Sequence, residues 1–178
     1  MLRQILGLLL LAGVGIALLA GGIAGAHGWE LLALITIGLL FYLGVARLFF
    51  SLKGSAASGE RAGLLPIVTA AIVGAAATWG LRAGLGINPC VASGLVGIVA
   101  ALALSENVAA AVYAASFVAT SSLTVLPGLP LVLWAGALTG GICCLTSSAY
   151  AGVGGKLGTI AAGAVLATML IFRALGGM

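Results

Sequence analysis

Leu64-Leu65-Pro66-Ile67-Val68-Thr69-Ala70-Ala71-Ile72-Val73-Gly74-Ala75-Ala76-Ala77-Thr78-Trp79-Gly80-Leu81 runs without a charge from Gly63 to Arg82. Its apolar residues are continuous rather than alternating, which excludes a half-buried or barrel strand. About 20 such residues are what a helix needs to cross the ~30 Å hydrocarbon core of a bilayer. Pro66 sits where a first helical turn has no use for an amide proton. This stretch reads as a transmembrane helix, and it repeats in kind along the chain.

Upstream lies the longest polar loop, Ser51 to Gly63, and before it a second apolar run, Leu31 to about Phe50, the most aromatic of the set. A first run spans Ile5 to Ile23; with Arg3 before it and Ala24-Gly25-Ala26 after, it also matches a secretory signal pattern, and we count it as a span. His27 and Trp29 in the short connection suit a membrane interface. Downstream, apolar runs cover Cys90 to Leu104, Val108 to Leu126, Leu131 to Leu145 and Leu157 to about Leu175, separated by Asn88-Pro89, Ser105-Glu106-Asn107 and the Pro127–Pro130 cluster. Ser105 stands at an N-cap position.

The composition agrees. Of 178 residues, 63% are hydrophobic and 6% charged, too few charges for a water-facing surface. The expected fold is therefore an all-α polytopic transmembrane bundle of about seven spans, residues 1–178 forming one integral membrane domain. A six-span version, with part of Ala119 to Pro130 as a re-entrant loop, fits the same pattern. Arg3, Arg47, Lys53, Arg61 and Lys156 against Arg82 and Arg173 place the N-terminus in the cytoplasm and the C-terminus outside, in the inner or plasma membrane.

Twenty-nine glycines point to Gly/Ala-rich packing, since small residues let helices approach in lipid. Of the GxxxG spacings, Gly136/Gly140 lies squarely within an expected span and is the best candidate contact face.

Polar residues in or beside the spans are the candidate binding groups. Glu106 and Asn107 interrupt two apolar runs. Thr120, Ser121 and Ser122 offer hydroxyls, and the triplet recurs as Thr146, Ser147 and Ser148, 26 positions later. Gly154, Gly155, Lys156 and Thr159 place flexible backbone, one cation and a hydroxyl at the start of the last span, where amides and the helix dipole suit a phosphate or carboxylate. Each has a plain structural reading as well: an interfacial turn, hydroxyls bonded to their own helix, and a basic anchor after a glycine hinge. Arg82 reads as an interfacial arginine reaching for headgroups.

Gly154-Gly155-Lys156-Leu157-Gly158-Thr159 is not a Walker loop, because Tyr150 stands where its first glycine belongs and Leu157 follows the lysine. Over about six residues it resembles the Gly-Gly-Lys-Gly loop of membrane glycerol-phosphate acyltransferases, with Leu157 displacing the second glycine. That resemblance implies a phosphate-holding role; the Ser-Gly-Asn loop and the histidine of those enzymes have no counterpart.

No Ser/His/Asp, Cys/His or paired-carboxylate arrangement can be assembled, so no catalytic residue is expected. Cys90, Cys143 and Cys144 have no metal-ligand spacing, and no metal or other cofactor is expected. A net charge of +4 scattered over the chain makes no nucleic-acid patch. The expected partners are the lipid bilayer, further copies or other membrane subunits, and a small polar or anionic solute. The leading expectation is a transport protein of permease or channel type. The alternatives are a non-catalytic subunit of a larger complex and an enzyme acting on a lipid or phosphorylated substrate.

Overall fold

The computed structural model describes residues 2–25, 27–28, 31–32, 35–36, 38–39, 42–43, 63–146 and 155–176. Among them six helices are delimited: α1 (Leu2–Gly25), α2 (Leu64–Leu85), α3 (Pro89–Ala103), α4 (Glu106–Ala119), α5 (Leu129–Thr146) and α6 (Lys156–Ala174). They divide into two compact units, Met1–Ser58 with Leu145–Val153, and Gly59–Cys144 with Gly154–Met178.

In the first unit α1 meets helical residues of the second expected span, whose part beyond Leu43 lies outside the described residues. The Tyr42 hydroxyl donates to the Ala12 carbonyl at 3.4 Å, and Gly38 faces Leu19 so closely that an added Cβ would lie 3.1 Å from its Cδ1. Residue numbers rise on one side as they fall on the other, so the pair is antiparallel.

The second unit is built around α2. Gly63 stands at its N-cap and Pro66 within its first turn. Gly86 ends it at φ +65°, a left-handed conformation that glycine adopts without strain, and the Ile87 amide closes back on the Leu81 carbonyl at 3.2 Å. The chain turns at once into α3, whose first turn is capped by the Asn88 Oδ1 accepting from the Cys90 amide. Extended Leu104 and Ser105 then break α3 from α4; Ser105 is the N-cap by position, but its side chain makes no cap bond.

Close contacts fix the helix directions. A Cβ on Gly74 of α2 would lie 2.7 Å from the Val112 carbonyl oxygen of α4, and Arg82 bonds to Ala119 and Ser121. Those two helices run parallel at a constant offset. Ser93 meets Ser116 and Gly97 lies under Tyr113, so α3 runs antiparallel to α4. Gly136 faces Ala75 and Gly140 faces Val68, so α5 runs antiparallel to α2. The expected Gly136/Gly140 face is a real helix contact. α4 packs against α6, which begins where Lys156 lies within electrostatic reach of Cys143 on the last turns of α5.

The core these contacts enclose is Ile67, Ala71, Ala75, Ala111, Ala115, Val118, Ala119, Leu126, Val132, Ala135 and Ala161. Seven of the eleven are alanines, so the helices close by backbone approach rather than by interlocking large side chains.

Three described helices, α2, α5 and α6, are long and apolar enough to cross a bilayer. This supports a helical bundle and stops short of seven full-length spans. α3 and α4 are apolar but have 15 and 14 residues, lengths of about 22 and 21 Å at 1.5 Å per residue. The expected span Val108 to Leu126 is shorter than its apolar run: α4 stops at Ala119, because Arg82 satisfies carbonyls there and the chain turns through 120–128.

Candidate functional site

Helix directions sort the candidate residues into two groups at opposite ends of the second unit. Glu106 and Asn107 open α4 at the end where α2 begins and α5 closes. Lys156 opens α6 near that end. Thr120, Ser121 and Ser122 follow the opposite end of α4. The candidates therefore do not make one site.

At the Glu106 end, registers give the depth. Gly74 lies opposite Val112 and Arg82 opposite the 119–121 segment, so Glu106 stands level with Val68, four residues inside the start of α2. That is a recess of about 6 Å. The antiparallel pairing of Gly140 with Val68 carries α5 past this level too. Glu106 and Asn107 are exposed at the tip of the short α3–α4 hairpin, and Glu106 is the acidic residue in the first turn of α4, where the helix dipole favours it.

Thr146, the last residue of α5, is buried. Ser147, Ser148 and Gly154 lie outside the described residues. Gly155 holds φ +75° as the residue before α6, a left-handed position that gives glycine a reason to be there. The Thr159 hydroxyl donates back to the Gly155 carbonyl at 3.3 Å, and Lys156 is half-buried.

At the other end the Thr120, Ser122 and Thr124 hydroxyls are occupied locally. Thr120 donates to the Phe117 carbonyl at 2.7 Å, Ser122 and Thr124 share a 2.7 Å bond, and the Ser122 carbonyl accepts from the Val125 and Leu126 amides. The group that organises this end is Arg82. Its Nη1 donates to the carbonyls of Ala119 at 3.1 Å and Ser121 at 2.6 Å. A helix leaves its last carbonyls without partners and carries a partial negative charge there, so a guanidinium is the right cap. The arginine expected to reach for headgroups commits one of its nitrogens, Nη1, to holding down the end of α4. Its partners lie 37 and 39 residues away, which no local pattern reveals.

Inside the bundle, Thr78, Thr139 and Thr168 each donate to the carbonyl four residues earlier. Ser116 donates to the Tyr113 carbonyl, which leaves Ser93 as donor in the 2.7 Å Ser93–Ser116 bond between α3 and α4. Among the described residues one buried side-chain nitrogen or oxygen has no hydrogen-bond partner, the Trp79 Nε1. Among the described residues no three of His, Cys, Asp and Glu gather closely enough to hold a metal ion.

Two grooves flank α3. One of about 800 Å³ lies between α2 and α3 over Val112; Thr69 is the polar residue on its wall, and its hydroxyl is bonded to the Leu65 carbonyl. The other, about 410 Å³, lies between Gly94, Gly97 and Ala101 of α3 and Ala109, Ala110 and Tyr113 of α4. No protein-family model, no curated protein and no solved structure matches this chain. What the molecule does has to be argued from these features.

Proposed function

We propose that this chain is a small integral membrane transport protein of permease or channel type, working as a homo-oligomer or beside other membrane subunits. The observation that carries the reading is the recessed carboxylate: Glu106 sits about 6 Å inside the level at which α2 begins, on a helix too short to cross the bilayer alone. Ionisable groups at such depth are costly and mark paths for ions or polar solutes. The seven crossings of this reading would include α2 to α5, whose directions alternate. Arg82 at one end and Lys156 towards the other fit a cytoplasmic N-terminus and an external C-terminus.

The test is flux in proteoliposomes carrying ion- and pH-sensitive dyes, with protons, potassium and chloride as probes. Flux above empty vesicles, reduced at least tenfold by Glu106→Gln, supports the proposal. Wild-type protein indistinguishable from empty vesicles for these ions and for a panel of small organic anions discards it.

A second reading is a non-catalytic subunit of a larger membrane complex. It is favoured by the alanine-packed core, in which Thr78, Thr139 and Thr168 spend their hydroxyls on their own helices. Stoichiometric foreign subunits retained in mild detergent would select it.

A further inference from the structure

We propose that the α2–α3 groove holds one acyl chain of an anionic glycerophospholipid whose phosphate rests on Arg82. The groove runs from Thr69 to Leu85 along α2, about 24 Å at 1.5 Å per residue. Its walls include Ala77, Gly80, Leu85, Leu95 and Val99, with Val112 as floor. Val73, Leu85 and Val99 are exposed, so it opens sideways, toward hydrocarbon in a membrane-inserted bundle.

Size and charge choose the occupant. A helix ~10 Å across lying along the whole groove would fill ~1,900 Å³, more than twice the volume of about 800 Å³. A single alkyl chain is thin enough, and the apolar walls ask for nothing polar. The charge lies beside the groove rather than on its wall: Arg82 follows the lining residue Leu81 and stands three residues before Leu85. A guanidinium has five N–H donors; the two on Nη1 go to Ala119 and Ser121. The Nε and Nη2 donors have no partner among the described residues, and they are not buried. α3 also begins at this end, adding the positive pole of its first turn. An anionic head joined to an apolar chain matches both features, and charge-assisted contact from a planar guanidinium to a phosphate is strong.

The groove exists because α2 presents small residues toward α3. Gly80 offers the way to close it: a Cβ there meets no atom within 4 Å. Gly141 on α5 is equally open and does not line the groove, so it serves as the control.

The experiment is native mass spectrometry of the full chain released from micelles containing equal phosphatidylglycerol and phosphatidylcholine. Wild-type protein and Gly141→Phe are expected to retain one phospholipid each, with phosphatidylglycerol preferred about fivefold, the range of a partly exposed ion pair. Gly80→Phe should lower retention at least ~10-fold, the loss of about two buried methylenes or more. Circular dichroism shows that each variant keeps its helices. Wild-type protein without bound lipid, Gly80→Phe binding as wild type, or equal retention of the two lipids overturns the proposal. So does a lipid-free dimer that Gly80→Phe converts to monomer, which would make the groove a contact between copies.

Discussion

The Arg82 guanidinium lies 2.6 Å from the Ser121 carbonyl oxygen and, through the same nitrogen, 3.1 Å from that of Ala119. One side chain thereby ties the last turn of α2 to the end of the parallel α4. Arg82→Ala should destabilise the protein by about 1.5–3 kcal/mol, the range of hydrogen bonds that involve a charged group. Arg82→Lys should recover part of the loss, since an ammonium still donates but lacks the fork. Thermal unfolding in a single detergent measures both.

Glycines of equal appearance should differ sharply. A Cβ on Gly140 would come within 2.7 Å of Val68 Cα, and one on Gly74 within 2.7 Å of the Val112 carbonyl oxygen. Both obstacles are backbone and cannot rotate away, so Gly140→Leu and Gly74→Val should each cost about 3 kcal/mol or fail to fold. Gly80→Ala meets open space and should gain up to about 1 kcal/mol by helix propensity. Equal melting temperatures for Gly74→Ala and Gly80→Ala would refute the packing of α2 on α4.

The Ser93–Ser116 bond joins α3 to α4 inside the unit. A double-mutant cycle with Ser93→Ala and Ser116→Ala should give a coupling near 0.6 kcal/mol, the usual size of such bonds between membrane helices. Zero coupling would mean the two hydroxyls do not bond to one another.

Trp79 buries an indole N–H that finds no acceptor. Leaving a buried donor unpaired costs about 1–3 kcal/mol, so removing it offsets part of the packing lost when the ring shrinks. Trp79→Phe should therefore destabilise by less than about 1 kcal/mol, and Trp79→Ala by about 3 kcal/mol or more. A Trp79→Phe penalty as large as that of Trp79→Ala would mean the nitrogen does find a partner.

Several elements were legible from residue order alone. The apolar run 64–81 marks α2, Asn88-Pro89 marks the start of α3, and Gly136/Gly140 marks the face of α5 that meets α2. Gly74, where an added Cβ would strike the α4 backbone, belongs to none of the GxxxG pairs in the chain, and only the three-dimensional register reveals its partner. The apolar run overshoots the end of α4 because Leu123, Val125 and Leu126 prolong it while the backbone has already turned. Hydrophobicity reports burial, and Leu126 is indeed buried, but in a turn. Of the candidate site, sequence found the break at Glu106; the recess depends on registers between helices that no spacing encodes.

The separation of Arg82 from its acceptors also orders events as the chain is made. The arginine is synthesised 37 residues ahead of Ala119 and 39 ahead of Ser121. When α2 is first made, the carbonyls that will receive the guanidinium have not yet been made. Arg82 lies in the last turn of α2 and is only half-buried, so its long side chain can stay hydrated meanwhile. Only when the hairpin has followed and α4 has drawn alongside can it exchange water for protein. Its place near the helix end thus serves the nascent chain as well as the finished one, and makes closure of this corner a late step in biogenesis.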